Sequence, residues 1–103
     1  MGQTPVAVVP HNDRVAAGNL IARVIRDREA DAVIAMTDQL AAGALDTSNG
    51  RMRVSGWDDS DLAITGSFTS VRQSLFDQGA ACASIAAGVK PATLAHPWAL
   101  VAR

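Results

Sequence analysis

The sequence predicts an α/β fold in three layers, a mostly parallel sheet flanked by helices. Two observations carry that reading. Short apolar runs, nearly continuous at residues 4–10 and 32–36, alternate with segments whose apolar residues recur at helical spacing. Between them lie polar breaks rich in helix-capping residues, the punctuation of strand-to-helix connections.

In order along the chain, residues 4–10 (TPVAVVP) read as a first strand bounded by prolines. His11, Asn12 and Asp13 form a polar break, and residues 14–30 place Ala17, Leu20, Ile21 and Val24 on one helical face. Residues 32–36 give a second strand, Thr37 and Asp38 a second polar tip, and residues 39–45 a short helix. Asn49-Gly50 marks a turn, after which residues 51–55 form a third strand ending in Gly56-Trp57-Asp58-Asp59. Residues 60–67 read as a loop and 68–71 as an extended link. Ser70 and Gln73 have capping-box spacing, so a helix carrying Val71, Leu75, Cys82 and Ile85 is expected to run to about Ala87, with Gly88 closing it. Residues 97–103 supply a last strand. Val8, Ile21, Val24, Val33, Ile34 and Val54 are the expected core, in one domain spanning residues 1–103.

Composition narrows the function. The chain has 103 residues, 49% hydrophobic and 18% charged, with formal net charge −1, which argues against disorder. A nucleic-acid surface would need a basic stripe, and Arg23, Arg26 and Arg28 are interspersed with Asp27 and Glu29 instead. The single cysteine, Cys82, can form neither an intrachain disulfide nor a thiolate metal site. No apolar run is long enough to span a bilayer, and the N-terminus lacks signal-peptide character, so a cytoplasmic setting without membrane contact is expected. His11 and His96 are the only histidines and complete no triad. Neither a GxGxxG nor a P-loop is present. No catalytic residue, metal ligand or cofactor is therefore expected.

In open parallel sheets, ligands bind beyond the carboxyl ends of the strands. Three polar tips fall there: Asn12-Asp13, Thr37-Asp38 and Asp58-Asp59. Carboxylates, amides and hydroxyls suit a ligand with many hydroxyls, such as a sugar or nucleoside. Asp58 is the expected chief contact, with Thr37, Asp13 and Asp38 as helpers, although Asn12, Thr37 and Asp38 also serve as ordinary helix starters. Asp58-Asp59 holding Mg²⁺, as in a phosphoacceptor receiver, is a weaker alternative: Lys90, the only lysine, precedes the last strand.

Four segments in order resemble the C-terminal part of the effector-binding domain of LacI/GalR-type transcription regulators. AVIAMTDQLAAGAL at 32–45 resembles the family's a-I-x-a-x-N-D-x-x-A-x-G-a-l. VSGWDD at 54–59 resembles V-x-G-[YFW]-D-D, FTSVRQ at 68–73 resembles L-T-T-[VI]-x-Q, and PWALVAR at 97–103 resembles P-x-x-L-v-x-R. Together they cover most of the chain after residue 31. Three departures stand out: Thr37 replaces the family's Asn, Asp13 lies where an aromatic ring is often offered, and the stretch between Leu45 and Gly56 is several residues shorter.

The resemblance implies the C-terminal lobe of a periplasmic-binding-protein-like type I fold. Residues 68–88 would be the crossover link and helix toward a first lobe, and 97–103 the returning strand. It implies a small-molecule effector, with DNA contacted only through a helix-turn-helix domain that this chain does not include. Ala41, Ala42, Leu45, Leu62 and Ile64 are the expected dimer contacts, in a homodimer that could exchange the crossover helix about residues 60–67. The alternatives are a truncated or domain-swapped structural fragment that binds no ligand, and the receiver-like phosphoacceptor.

Overall fold

A computed structural model describes Val9, residues 11–89 and residues 98–103. The expected first strand, apart from Val9, lies outside the described residues, as do Val8, Lys90, His96 and Pro97. The described elements are α1 (Arg14–Arg26), β1 (Ala32–Ile34), α2 (Asp38–Ser48), β2 (Arg53–Ser55), α3 (Asp61–Gly66), β3 (Ser70–Gln73), α4 (Leu75–Ala86) and β4 (Trp98–Val101).

Local chemistry sets each boundary. The Asp13 side chain accepts from the amides of Val15 and Ala16 and starts α1. The helix stops at Arg26, short of the expected Ala30, because Arg28 turns left-handed (φ 53°). Thr37 caps α2 through the Leu40 amide, and that helix closes on Asn49 (φ 49°) and Gly50 (φ 77°), as the turn signal predicts. Residues 60–67 are not a loop. Ser60 caps the six-residue α3 and Ser67 closes it in the left-handed region (φ 54°). Residues 70–73 are strand rather than helix start, and Ser74, not Ser70, caps α4 through the Asp77 amide.

The sheet is small. β1 and β2 pair in parallel, with Val33 opposite Val54. A single parallel bridge from Ser55 to Thr69 leads to the next strand, and the Gly56 amide donates to the Thr69 carbonyl at 2.9 Å. β3 and β4 form an antiparallel ribbon, Ser70 opposite Val101. The last strand therefore departs from the expected parallel sheet.

The core lies on one face. Ile21 and Val24 of α1, Ala44 of α2 and Met52 pack together under Val33 and Val54. Ala35, Ala41, Ala42, Ala63 and Phe68 form an adjoining cluster, with Leu45 and Leu62 packed against it. α1 and α2 meet so closely that a Cβ on Gly43 would collide with the Arg14 carbonyl oxygen and lie 2.9 Å from the Ala17 Cβ. The Arg14 guanidinium grips Asp46 with two bonds of 2.7 and 2.8 Å across the same seam.

One expected core position fails here, through strand alternation. Val33 points to the covered face, so Ile34 points away and is 86% exposed, not buried. Met36, two residues on, is exposed as well. Ala41 and Ala42, expected at a dimer interface for want of partners, are 0% and 5% exposed inside this chain's own core. Leu45 and Leu62 are partly buried there too, and of the expected contacts only Ile64 is exposed. At the other extreme, α4 buries none of its residues.

Candidate functional site

The loops after the strands line up at one edge, through bonds that join each to the next. Thr37 Oγ1 donates to Asn12 Oδ1 at 2.6 Å, tying the segment before α1 to the tip of β1. The Asp38 amide donates to the Trp57 carbonyl at 3.0 Å, and the Asp58 amide to the Val71 carbonyl at 2.8 Å. Asn12, Thr37 and Asp58 thus share one edge, as the sequence predicts for polar tips.

Four expected contacts have different surroundings. Asp58 is exposed and its backbone is held at φ 107°, a region that favours glycine. Its Oδ1 accepts from Gln73 Nε2 at 3.1 Å, leaving the other oxygen open to solvent or ligand. Thr37 is half-buried, its hydroxyl shared between Asn12 and the Leu40 amide. Asp13 is exposed, and its Oδ1 is occupied by the cap of α1.

Asp38 is the exception. It is 2% exposed and turned inward. Its Oδ2 accepts from the Ser60 amide at 2.6 Å and the Ser60 hydroxyl at 2.8 Å, and its Oδ1 from the Ser70 hydroxyl at 2.6 Å. One carboxylate therefore locks the start of α2 to α3 and β3, and in doing so fixes the turn that carries Asp58. Gly56 makes room for it: a Cβ there would strike Asp38 Oδ1 and press on the Phe68 ring at 2.9 Å.

Asp59, the twin of Asp58 in sequence, is committed elsewhere. Its side chain is 4% exposed and lies 2.8 Å from Arg72 and 2.7 Å from Arg103. The Arg103 approach has ion-pair distance without hydrogen-bond alignment. The Arg103 guanidinium, then Arg72, hold this carboxyl below its ordinary range against the opposing effect of desolvation. The Asp59 amide donates to Ser70 Oγ at 3.0 Å. With two guanidinium groups on Asp59, the Asp58-Asp59 pair presents one free carboxylate rather than two, a poor beginning for a Mg²⁺ site. Among the described residues, no group of three or more His, Cys, Asp or Glu is placed to hold a metal ion.

Sequence reasoning missed three contributors. Gln73, read as a capping partner, instead orients Asp58. Arg103 is the anchor of Asp59, and its backbone amide donates to Thr69 Oγ1 at 3.1 Å. Trp98 sits 6.2 Å from Trp57, the rings tilted by 36°, so an aromatic pair flanks the Asp58 turn. The WDD spacing pointed to Trp57, but nothing in the sequence linked it to Trp98.

No family model matches the chain, and no curated protein matches it. Solved structures do. A crystal structure from Mycobacterium smegmatis aligns with TM-score 0.62 at 16% identity, over 87% of this chain and 36% of that one. An ABC transporter solute-binding protein from Burkholderia multivorans, holding an unknown ligand represented as α-D-erythrofuranose, aligns with TM-score 0.60 at 20% identity, over 86% and 38%. The chain thus has a mixed α/β fold like that of periplasmic-type solute-binding proteins, and it spans little more than a third of either neighbour. Among the described residues, no helix is long and apolar enough to cross a membrane.

Proposed function

We propose that this chain is the effector-sensing lobe of a LacI/GalR-type transcription regulator, taking a small sugar- or nucleoside-like ligand at the edge formed by Asn12, Thr37 and Asp58. In this reading it is cytoplasmic, catalyses nothing and uses no cofactor, and DNA is contacted only through a helix-turn-helix domain outside this chain. The observation that carries the reading is the exposed Asp58 carboxylate at the carboxyl edge of the sheet, oriented by Gln73 and backed by a buried network centred on Asp38. A preorganised acceptor suits a vicinal diol, which donates two hydrogen bonds to one carboxylate. Trp57, partly exposed beside it, offers an apolar face to a sugar ring. The solute-binding protein of similar fold, whose unknown ligand is represented as α-D-erythrofuranose, agrees with a small polyhydroxylated ligand.

Calorimetric titration with a panel of pentoses, hexoses and nucleosides tests this. A panel member should bind, and Asp58→Asn should weaken it by about 1.5–3 kcal/mol, the worth of a hydrogen bond to a charged group. An unchanged affinity in Asp58→Asn would overturn the assignment.

A second reading, a self-associating fragment that takes no ligand, is favoured by one observation. None of the residues of α4 is buried, so its surface is open to a second copy of the chain. In that case the whole panel gives no heat of binding.

A further inference from the structure

Eight arginines lie among the described residues, and five have carboxylate partners: Arg14 with Asp46, Arg23 with Glu29, Arg26 with Asp27, and Arg72 and Arg103 with Asp59. The three without an ion pair among the described residues, Arg28, Arg51 and Arg53, all line one groove. It has two lobes of about 470 and 430 Å³ that share Asp31, Arg51 and Met52. Each lobe is in the size range of small-molecule sites, about 300–1,000 Å³.

The groove lies where α1 and α2 end and β1 and β2 begin, opposite the Thr37–Asp58 edge. Its floor is apolar, formed by Met52, which is buried, and Ile25. Its charge is unbalanced. Glu29 is already 2.8 Å from Arg23, so Asp31 is the one lining carboxylate set against three guanidinium groups.

Helix dipoles do not account for the cluster. A helix C-terminus attracts cations only within its last turn. Arg28 is near enough to the end of α1 for that, but Arg51 and Arg53 lie beyond the Asn49-Gly50 turn, Arg53 within β2 itself. Solvated arginines scattered over a surface would not all collect at one groove while every other arginine of the described residues finds an acid.

We propose that this groove is a second binding site, for a small polyanion bearing phosphate or several carboxylates. Guanidinium forks bind both groups bidentately, and the Met52 and Ile25 floor accepts an apolar portion of the ligand. The site shares no residue with the Asp58 edge and does not depend on the function proposed there.

The experiment is calorimetric titration of the full chain at low salt with two probes, inorganic pyrophosphate and citrate. At least one probe should bind saturably, and the tighter of the two gives the ligand class. The Arg51→Gln/Arg53→Gln double variant should weaken that probe by at least about tenfold, and raising the salt should weaken it further. Arg26→Gln, a charge change outside the lining, should leave affinity within about twofold. Circular dichroism establishes that each variant is folded, and either single variant replaces the double if it is not. Non-saturating heats for both probes overturn the proposal, as does an equal loss in Arg26→Gln.

Discussion

Replacing Asp38 by alanine removes the acceptor for three donors in a site from which water is excluded. The Ser60 amide, the Ser60 hydroxyl and the Ser70 hydroxyl all converge on this carboxylate at 2.6–2.8 Å. A hydrogen bond to a charged group is worth about 1.5–3 kcal/mol, and members of one network do not add in full. Two of the donors come from a single residue, and Ser60 can turn toward solvent once α3 loosens. The expected loss is therefore about 3–5 kcal/mol, against a total of about 5–15 kcal/mol for a domain of ordinary stability. Asp38→Asn keeps the shape and one acceptor oxygen. With that oxygen toward Ser60, the amide nitrogen meets Ser70 Oγ, which already accepts from the Asp59 amide, so the cost should fall to about 1–2 kcal/mol. Urea titration followed by circular dichroism measures both. A loss below about 1 kcal/mol in Asp38→Ala, or equal losses in the two variants, would refute the view that charge and convergence at Asp38 hold the Asp58 turn.

Two further outcomes follow from burial and charge. Ile21→Ala should cost about 2–5 kcal/mol, whereas Ile34→Ala, at a side chain 86% exposed, should stay within about 0.5 kcal/mol; paired urea titrations check the contrast, and equal losses would put Ile34 back in a core. Because Arg103 and Arg72 depress the Asp59 carboxyl in the folded state, its contribution is present above the ordinary carboxylate value of 3.8 and is lost as pH falls through the lower folded-state value. Stability measured between neutral pH and strong acid should fall less steeply in Asp59→Asn than in the parent, and parallel acid limbs would show that Asp59 is not the group responsible.

Much of the helical framework was legible because its signals are local. Asp13 and Thr37 cap the helices they precede in sequence, and the spacing of Ala17, Ile21 and Val24 marks the buried face of α1. Residues 70–73 show where local signals end. Ser-Val-Arg-Gln satisfies both a capping box and a strand, and the choice is made by Asp38, distant in sequence, which takes the Ser70 hydroxyl for itself. The run at 32–36 is equally ambiguous: β-branched residues read alike whether one face of a strand is covered or two, so Ile34 and Val33 could not be told apart. The site shows the same limit. Asp58 and Asp59 are adjacent and identical in type, and only their partners, Gln73 for one and Arg72 with Arg103 for the other, make one available and the other structural.

The exposure of α4 raises the question of what meets it. None of its residues is buried, and Leu75 and Phe76 are 69% and 84% exposed. At helical spacing, Leu75, Phe76, Gly79, Ala83 and Ala86 share a face, the bulky pair at its N-terminal end and the small residues toward its C-terminal end. A Cβ on Gly79 would meet nothing within 4 Å, so the middle of that face is open. Such a gradient is self-complementary only when two copies run antiparallel: Phe76 of each then lies over Ala83 and Ala86 of the other, large on small, related by a two-fold axis near Gly79. We therefore predict a homodimer through α4, not through the expected Ala41–Ala42 contacts, which the chain's own core has already taken up. Light scattering at micromolar concentration should give twice the chain mass of 10.7 kDa. Phe76→Asp should return the monomer mass, and Ile64→Ser, on the exposed remnant of the expected patch, should leave the dimer intact. A parent protein with the monomer mass, or a dimer that Phe76→Asp leaves whole, would mean that α4 is not the surface through which copies of this chain meet.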